Sequence, residues 1–292
     1  MSDEFCNLVE RFEVWLSRLG YQPSTVKGRK RQLRYWFEWL EDRGIKDLEK
    51  VNQELVEAYA KTLHACISNR TGLGLASRTI EARLSVLRLL DEYRIKHGQR
   101  PLLKGLPKVE HSERRVRKVL TQSEITRLYA AIPDGTKGLY LRSVLALYYG
   151  CGLRAGEGIR LQLNELDLKG GVLLVAKAKN YHQRYVPLSE GVKIDLQNWL
   201  SEGRVRYAYA KTENVLLNRR GGAANGSRLN GDLAELCEAA GVERITLHSL
   251  RHSIATHLLE GGMSLVAIGK FLGHRSLKAT QVYTHLLEEM GQ

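Results

Sequence analysis

Apolar residues recur at helical spacing through the first hundred residues, and each run is bounded by capping or breaking residues. The first run ends at Gly20, and Pro23 opens a second run that continues to Leu40. Two more helices are expected at 53–67 and at 77–97, with Ser77 as the N-cap of the last. The pattern predicts a four-helix bundle whose outer faces carry basic side chains.

Between Pro101 and Lys118 this periodicity gives way to Pro, Gly and charged residues, with Lys and Arg in excess. A solvated connector and a basic strap that follows a phosphate backbone both fit such a composition. We therefore predict a helical domain over 1–105, a basic linker over 106–118 and a second domain over 119–292.

The second domain opens with a capping box, Thr121 to Glu124, ahead of an apolar helical run to Ile132. Two short β-rich runs, 172–176 and 184–188, flank a polar turn and predict a hairpin. Further helices are expected at 138–150, 189–202, 228–239, 248–260 and 264–272. The predicted fold class is mainly α with a small antiparallel β-sheet.

Charge then narrows the choice of partner. The 292 residues include 45 Lys and Arg against 32 Asp and Glu, a formal net charge of +13, and this excess favours nucleic acid. A membrane is disfavoured, because the charge is dispersed and there is no apolar run of about 18 residues or secretory signal. The four cysteines lie far apart without metal-ligand spacing, so we expect a cytoplasmic protein with reduced thiols.

Two local clusters combine arginine with acid or histidine. Arg154 precedes Glu157 by three residues just after a predicted helix end, and on its own this pair favours a structural ion pair. His248 and Arg251 lie three apart at a predicted helix start, so they project from one face. His252 shares that face, but no HExxH pattern accompanies it, and no metal site is predicted.

A third cluster joins His274 to Tyr283, nine positions later, and the hairpin turn supplies two candidate lysines, Lys177 and Lys179. One tyrosine among 13 is unremarkable alone. Together, however, the clusters supply cationic forks for phosphate oxygens, proton donors and acceptors, and a nucleophile. Such an inventory is sufficient to transfer a phosphodiester with no metal or other cofactor.

In this order the clusters resemble the motifs of the tyrosine recombinase family (phage integrase, Xer-like). The segment 152–157 resembles the first arginine motif, 248–257 the His-x-x-Arg motif, and 272–274 with 283–285 the last box. The match covers nearly the whole chain, and the N-terminal helices are similar to the family's core-binding domain. One departure is a Gly-rich stretch at 155–158, which predicts a loose segment because helix formers are usual there.

This resemblance implies a site-specific recombinase that cuts and rejoins DNA strands through a 3′-phosphotyrosyl bond. The segment from Arg184 to Leu188 resembles the strand after the family's lysine turn, and the spacing favours Lys179 over Lys177. The implied catalytic residues are Arg154, Lys179, His248, Arg251, His274 and Tyr283. Helical geometry, independently of the resemblance, places the basic residues of the second and fourth helices outside the apolar stripes, where solvated faces and DNA contacts both fit. Collectively we expect them to contact phosphates and grooves: Lys27, Arg29, Lys30, Arg31, Arg34, Arg78, Arg83 and Arg88.

The same resemblance implies two domains around double-stranded DNA and an active homotetramer on two sites. A second recombinase or an accessory protein stays open as a further partner. The role stays open between integration or resolution of a mobile element and resolution of chromosome dimers. A type IB topoisomerase and a catalytically inert DNA-binding protein are the alternative functions; the last box argues against the first, and the complete residue set against the second.

Overall fold

A computed structural model describes residues 1–67, 72–109, 118–176, 183–207 and 212–273. The chain divides into two compact units, Met1–Arg115 and Val116–Gln292, and each has its own apolar core. Of the candidate catalytic residues, Lys177, Lys179, His274 and Tyr283 lie outside the described residues. No helix in the described ranges is long and apolar enough to cross a membrane.

In the N-terminal unit the described residues form the four predicted helices. They are α1 (Asp3–Arg18), α2 (Pro23–Glu41), α3 (Gln53–Ala65) and α4 (Ser77–Lys96). Their apolar stripes meet in one core around Trp36 and Phe37, both of which are almost fully buried. Ser77 is the first helical residue and Ala76 is the N-cap, so the predicted cap is wrong by one position.

The chain beyond α4 stays on this core. Leu102, Leu103, Leu106 and Val109 pack against it, and the Asp91 carboxylate accepts a hydrogen bond from the backbone N–H of Leu102 at 2.5 Å. The stretch that begins at Pro101 is therefore part of the helical unit as far as residue 109, although the linker was predicted to begin at 106. Apolar residues spaced among Pro and Gly were too few to show helical periodicity there.

The C-terminal unit is mostly helical around a small sheet. Its helices are α5 (Gln122–Ala130), α6 (Thr136–Leu145), α7 (Ala155–Arg160), α8 (Glu190–Asn198), α9 (Gly226–Ala239), α10 (Leu247–Glu260) and α11 (Leu265–Leu272). Five-residue π-helical segments, Ala146–Gly150 and Trp199–Gly203, extend α6 and α8. The capping box at the start of α5 is confirmed, because Thr121 and Glu124 exchange backbone and side-chain hydrogen bonds.

The predicted hairpin is also confirmed. Strands β2 (Val172–Val175) and β3 (Arg184–Pro187) pair antiparallel, with Val175 opposite Arg184. A two-residue strand, β1 (Leu166–Asp167), adds to the far side of β2 in the order β1-β2-β3. The alternation along β3 turns Arg184 and Val186 inward and Tyr185 outward.

Helix α10 is tied to the beginning of the unit by side chains on its inner face. Ser253 accepts a hydrogen bond from the backbone N–H of Leu120 at 2.8 Å, and His257 Nε2 donates to the Leu120 carbonyl at 2.8 Å. The other ring nitrogen of His257 then accepts from the Tyr149 hydroxyl at 2.9 Å. These bonds hold α10, which carries two of the candidate residues, in a defined place.

Candidate active site

The first arginine lies at the start of a short helix. Arg154 is the N-cap of α7, and Glu157 occupies the third helical position, where its carboxylate accepts the backbone N–H of Arg154 at 2.9 Å. The same carboxylate pairs with Nη1 of Arg154 at 2.8 Å. The ion pair expected from the sequence is therefore present, and it stabilises the first turn of the helix.

The Gly-rich stretch that follows is closely packed. A Cβ on Gly158 would lie 2.5 Å from the Tyr148 hydroxyl, and this hydroxyl donates to the Ala155 carbonyl at 3.1 Å. The stretch that was expected to be looser than in relatives is helical in this structure, where the missing side chain makes room for a buried tyrosine that bonds the helix. Glycine here serves close packing rather than flexibility.

Glu157 is shared by three arginines, which we call the arginine cluster: Arg154, Arg184 and Arg251. Arg184 binds both carboxylate oxygens of Glu157, at 3.1 and 2.9 Å, and Nη1 of Arg251 lies 3.8 Å from Oε2 of the same carboxylate. The side chains of Glu157, Arg184 and Arg251 are each 6% exposed, and that of Arg154 is 19% exposed. Three guanidinium groups and one carboxylate leave two positive charges in excess in a largely buried site.

The carboxylate at the centre of the cluster is ionised. Burial alone would raise the pKa of Glu157, but the hydrogen bonds and charge of Arg184, together with the bonds from Arg154, lower it to about 2. Glu157 therefore neutralises one of the three arginines throughout the neutral pH range.

The arginine cluster also binds three consecutive backbone carbonyls at the end of α11. Arg184 Nε donates to Phe271 at 2.9 Å, Arg251 Nη2 to Leu272 at 2.7 Å, and Arg154 Nη2 to Gly273 at 3.0 Å. Gly273 ends the helix with φ 68°, a left-handed conformation that glycine adopts without strain. The carbonyls at a helix C-terminus carry partial negative charge and so attract cations. The next residue along the chain is His274.

Helix α10 positions the histidine and the second arginine. Thr246 caps it, with its hydroxyl accepting the backbone N–H of Ser249 at 3.4 Å. His248 lies exposed in the first turn, and Arg251, one turn further, is buried against the carbonyls of Gly152 and Leu272. The two residues that were predicted to share a helix face thus differ in burial, His248 being exposed and Arg251 buried.

Sequence reasoning missed one member of the cluster. Arg184 was used only as a marker of the strand after the lysine turn, yet it is the residue that holds Glu157 with two bonds. The sequence feature that could have revealed Arg184 is the alternation of β3, which places this arginine on the same inward face as Val186. A buried guanidinium needs an acidic or carbonyl partner, so an inward arginine indicates one.

The basic residues predicted on α2 and α4 fall into two groups. Lys27, Arg31, Arg34, Arg78 and Arg88 are exposed. The other three hold the helices together: Arg29 donates to Ser85 at 2.5 Å, Lys30 pairs with Glu13, and the Arg83 guanidinium lies 4.7 Å from the Tyr35 ring centroid. Part of the positive charge therefore stabilises the helical bundle.

Both units match known families. Residues 118–290 match the model of the phage integrase family, and residues 9–98 match the phage integrase N-terminal SAM-like domain. Tyrosine recombinase XerD of Corynebacterium glutamicum is 29% identical over 94% of this chain and 92% of its own length. Tyrosine recombinase XerC of Bacillus licheniformis is 32% identical over 93% of this chain and 88% of its own length.

Solved structures agree on the fold. XerH site-specific recombinase bound to its difH substrate aligns with a TM-score of 0.72 and 20% identity over 91% of this chain and 78% of that one. The Tn1549 transposon integrase in complex with transposon right end DNA aligns with a TM-score of 0.72 and 19% identity over 99% of both chains. The N-terminal and C-terminal units thus have the architecture of known recombinases.

Proposed function

This chain belongs to the phage integrase family of tyrosine recombinases, and from that membership we propose that its arginine cluster is the phosphate-binding part of a strand-exchange site whose nucleophile is Tyr283. Its reaction is site-specific DNA recombination, and the topoisomerase and inert alternatives are not favoured. The observation that supports this site best is the meeting of Arg154 and Arg251 at the carbonyls of Leu272 and Gly273. Both arginines thereby bind the backbone of the first two residues of the last box.

In the proposed reaction the Tyr283 oxygen attacks the scissile phosphorus and forms a 3′-phosphotyrosyl bond, while the bond from phosphorus to the 5′-oxygen breaks. His248 accepts the tyrosine proton, and Lys179 protonates the departing 5′-oxygen. The 5′-hydroxyl of a partner strand then attacks the phosphotyrosine, which releases the tyrosine and seals the new strand. No energy source is needed because the phosphotyrosyl bond conserves the energy of the original bond.

The two excess positive charges of the arginine cluster stabilise the additional negative charge of the pentacoordinate phosphate, and His274 adds a hydrogen bond. Glu157 and the backbone carbonyls hold the guanidinium groups before DNA binds, so little reorganisation is required during the reaction. The proposed assembly is four copies on two double-stranded DNA sites.

The proposed function is tested by trapping its intermediate. A nicked suicide duplex loses a short fragment after cleavage, so the protein should remain covalently joined to the DNA 3′ end after denaturation. Sequencing the trapped DNA from a random library gives the target site, and mass spectrometry gives the attached residue. Cleavage that leaves no protein on the DNA would contradict the proposal.

Adduct formation should continue in EDTA. The cationic groups of the arginine cluster supply the charge that a metal ion would otherwise supply to the phosphorane. The measurement is the rate of adduct formation on the suicide duplex with and without the chelator. A rate that falls in EDTA and returns with added magnesium or zinc would show that a metal takes part.

The choice between Lys179 and Lys177 can be decided through the leaving group. A bridging 5′-sulfur leaves with little need for a proton, whereas the natural 5′-oxygen needs one. We expect Lys179→Ala to lose about 10²-fold or more in rate on normal DNA and to recover most of it on the phosphorothiolate duplex. Lys177→Ala is the matched control and should lose only affinity; the opposite pattern would assign the general acid to Lys177.

The exposed residues of α2 and α4 should contribute phosphate contacts. Replacing Arg31 or Arg88 by alanine in the full chain should lower the slope of log affinity against log salt by about one unit each. Lys46→Ala, an exposed residue outside both helices, is the matched control and should leave the slope unchanged. If Arg31→Ala and Arg88→Ala show the same slope as Lys46→Ala and the wild type, these faces do not contact DNA.

A further inference from the structure

Arg184 is surrounded by protein hydrogen-bond acceptors. Its Nε binds the Phe271 carbonyl, and its Nη1 and Nη2 bind the two oxygens of Glu157. Its side chain is only 6% exposed. All three nitrogens therefore face protein acceptors, and the Arg184 side chain is more buried than that of Arg154, the most exposed member of the cluster.

These contacts connect the supports of both phosphate-binding arginines. Arg184 holds Glu157 with two hydrogen bonds, and this fixes the plane of the carboxylate that Arg154 Nη1 binds. Its bond to Phe271 fixes the first of the three carbonyls at the end of α11. The following two carbonyls bind Arg251 and Arg154.

The turn at the end of α11 also packs directly on this side chain. A Cβ on Gly273 would lie 2.9 Å from Cδ and Nη1 of Arg184, so the backbone of the turn rests against the guanidinium and its stem. A smaller side chain at position 184 would leave Glu157 and this turn without their common support. Both arginines that face the phosphate would then lose their fixed geometry.

We propose that Arg184 is a positioning residue for phosphate binding, which acts on Arg154 and Arg251 through Glu157 and the 271–273 turn. It makes no contact with the DNA. This role rests on the proposed function, because it presumes that Arg154 and Arg251 bind the scissile phosphate. It predicts a defect in stabilising the transition state and little change in binding of the site.

The test compares Arg184→Gln and Arg184→Lys with the wild-type chain on suicide duplexes. Both variants should form adduct on the order of 10²-fold more slowly while their affinity for the site stays within about threefold. Lysine keeps the charge but lacks the planar fork that reaches Phe271 and both oxygens of Glu157 together, so it should not restore the rate. A wild-type rate in either variant would overturn the proposal.

A second substrate separates positioning from general loss of stability. A methylphosphonate at the scissile position replaces one charged oxygen with a neutral methyl group, which lowers the demand for correctly held arginines. On this substrate both variants should come within about tenfold of the wild type. Equal slowing on the two substrates would mean that Arg184 acts on something other than phosphate charge, and would also overturn the proposal.

Arg204→Gln is the matched control. Arg204 is a partly buried arginine of the same unit that also binds backbone carbonyls, those of Asn214 and Thr212, at 3.1 and 2.7 Å. It should cleave both substrates as the wild type does, and the same substrate-dependent defect in this variant would contradict a specific role for Arg184. A wild-type chain that forms no adduct at all would instead count against the proposed function.

Discussion

Tyr283→Phe is expected to eliminate the covalent protein–DNA adduct while binding of the target site stays unchanged. The substitution removes only the hydroxyl, which is the nucleophile, and leaves the aromatic ring in place. The arginine cluster stabilises charge and the histidines and lysine move protons, so no other group of the site can form the phosphate ester. The measurement is adduct detected after denaturation, with binding followed separately by a titration.

The matched control for this experiment is Tyr185→Phe. Tyr185 follows Arg184 on β3, and its side chain is 67% exposed, so it is an accessible tyrosine close in sequence to a member of the arginine cluster. The Tyr185→Phe variant should form adduct at the wild-type rate. Adduct that persists in Tyr283→Phe and disappears in Tyr185→Phe would transfer the nucleophile to β3.

Glu157→Ala is expected to destabilise the C-terminal unit by about 3–5 kcal/mol. The change leaves two arginines, Arg184 and Arg251, that are each 6% exposed without their carboxylate. Glu235→Ala is the matched control: it breaks a pair with Lys137 in which both side chains are about half exposed, so it should leave the stability of the unit nearly unchanged. Hydrogen exchange measures the C-terminal unit separately from the helical unit.

The same carboxylate gives a pH dependence with a defined sign. The pKa of Glu157 is lowered from 4.5 to about 2, so its contribution to stability is complete above about pH 4.5 and is lost as the pH falls towards 2. Over that interval the wild-type chain should lose on the order of 3 kcal/mol more than Glu157→Gln does. Parallel acid-unfolding curves for the two chains would show that the carboxylate is not held as an ion.

Much of the fold followed from local pattern. Helical periodicity located α1 to α4, the capping box located the start of α5, and the alternating runs located the hairpin, because each of these depends on residues within a few positions of one another. Short elements were missed for the same reason. The two-residue strand β1 has too few residues to alternate, and its pairing with Leu173 and Val172 is decided by the neighbouring strand.

The sequence by itself determined which residue types are available for phosphodiester chemistry and one contact among them, the pair of Arg154 with Glu157, because three residues span one helical turn. Only the tertiary structure decided that Arg184, 27 residues from Glu157, shares that carboxylate. It also decided that Arg154 binds the carbonyl of Gly273, 119 residues away. Periodicity shows which face of an element is buried. Which buried groups form hydrogen bonds and ion pairs with one another depends on how β3, α7, α10 and α11 pack. That packing is specific because an unpaired buried charge is costly.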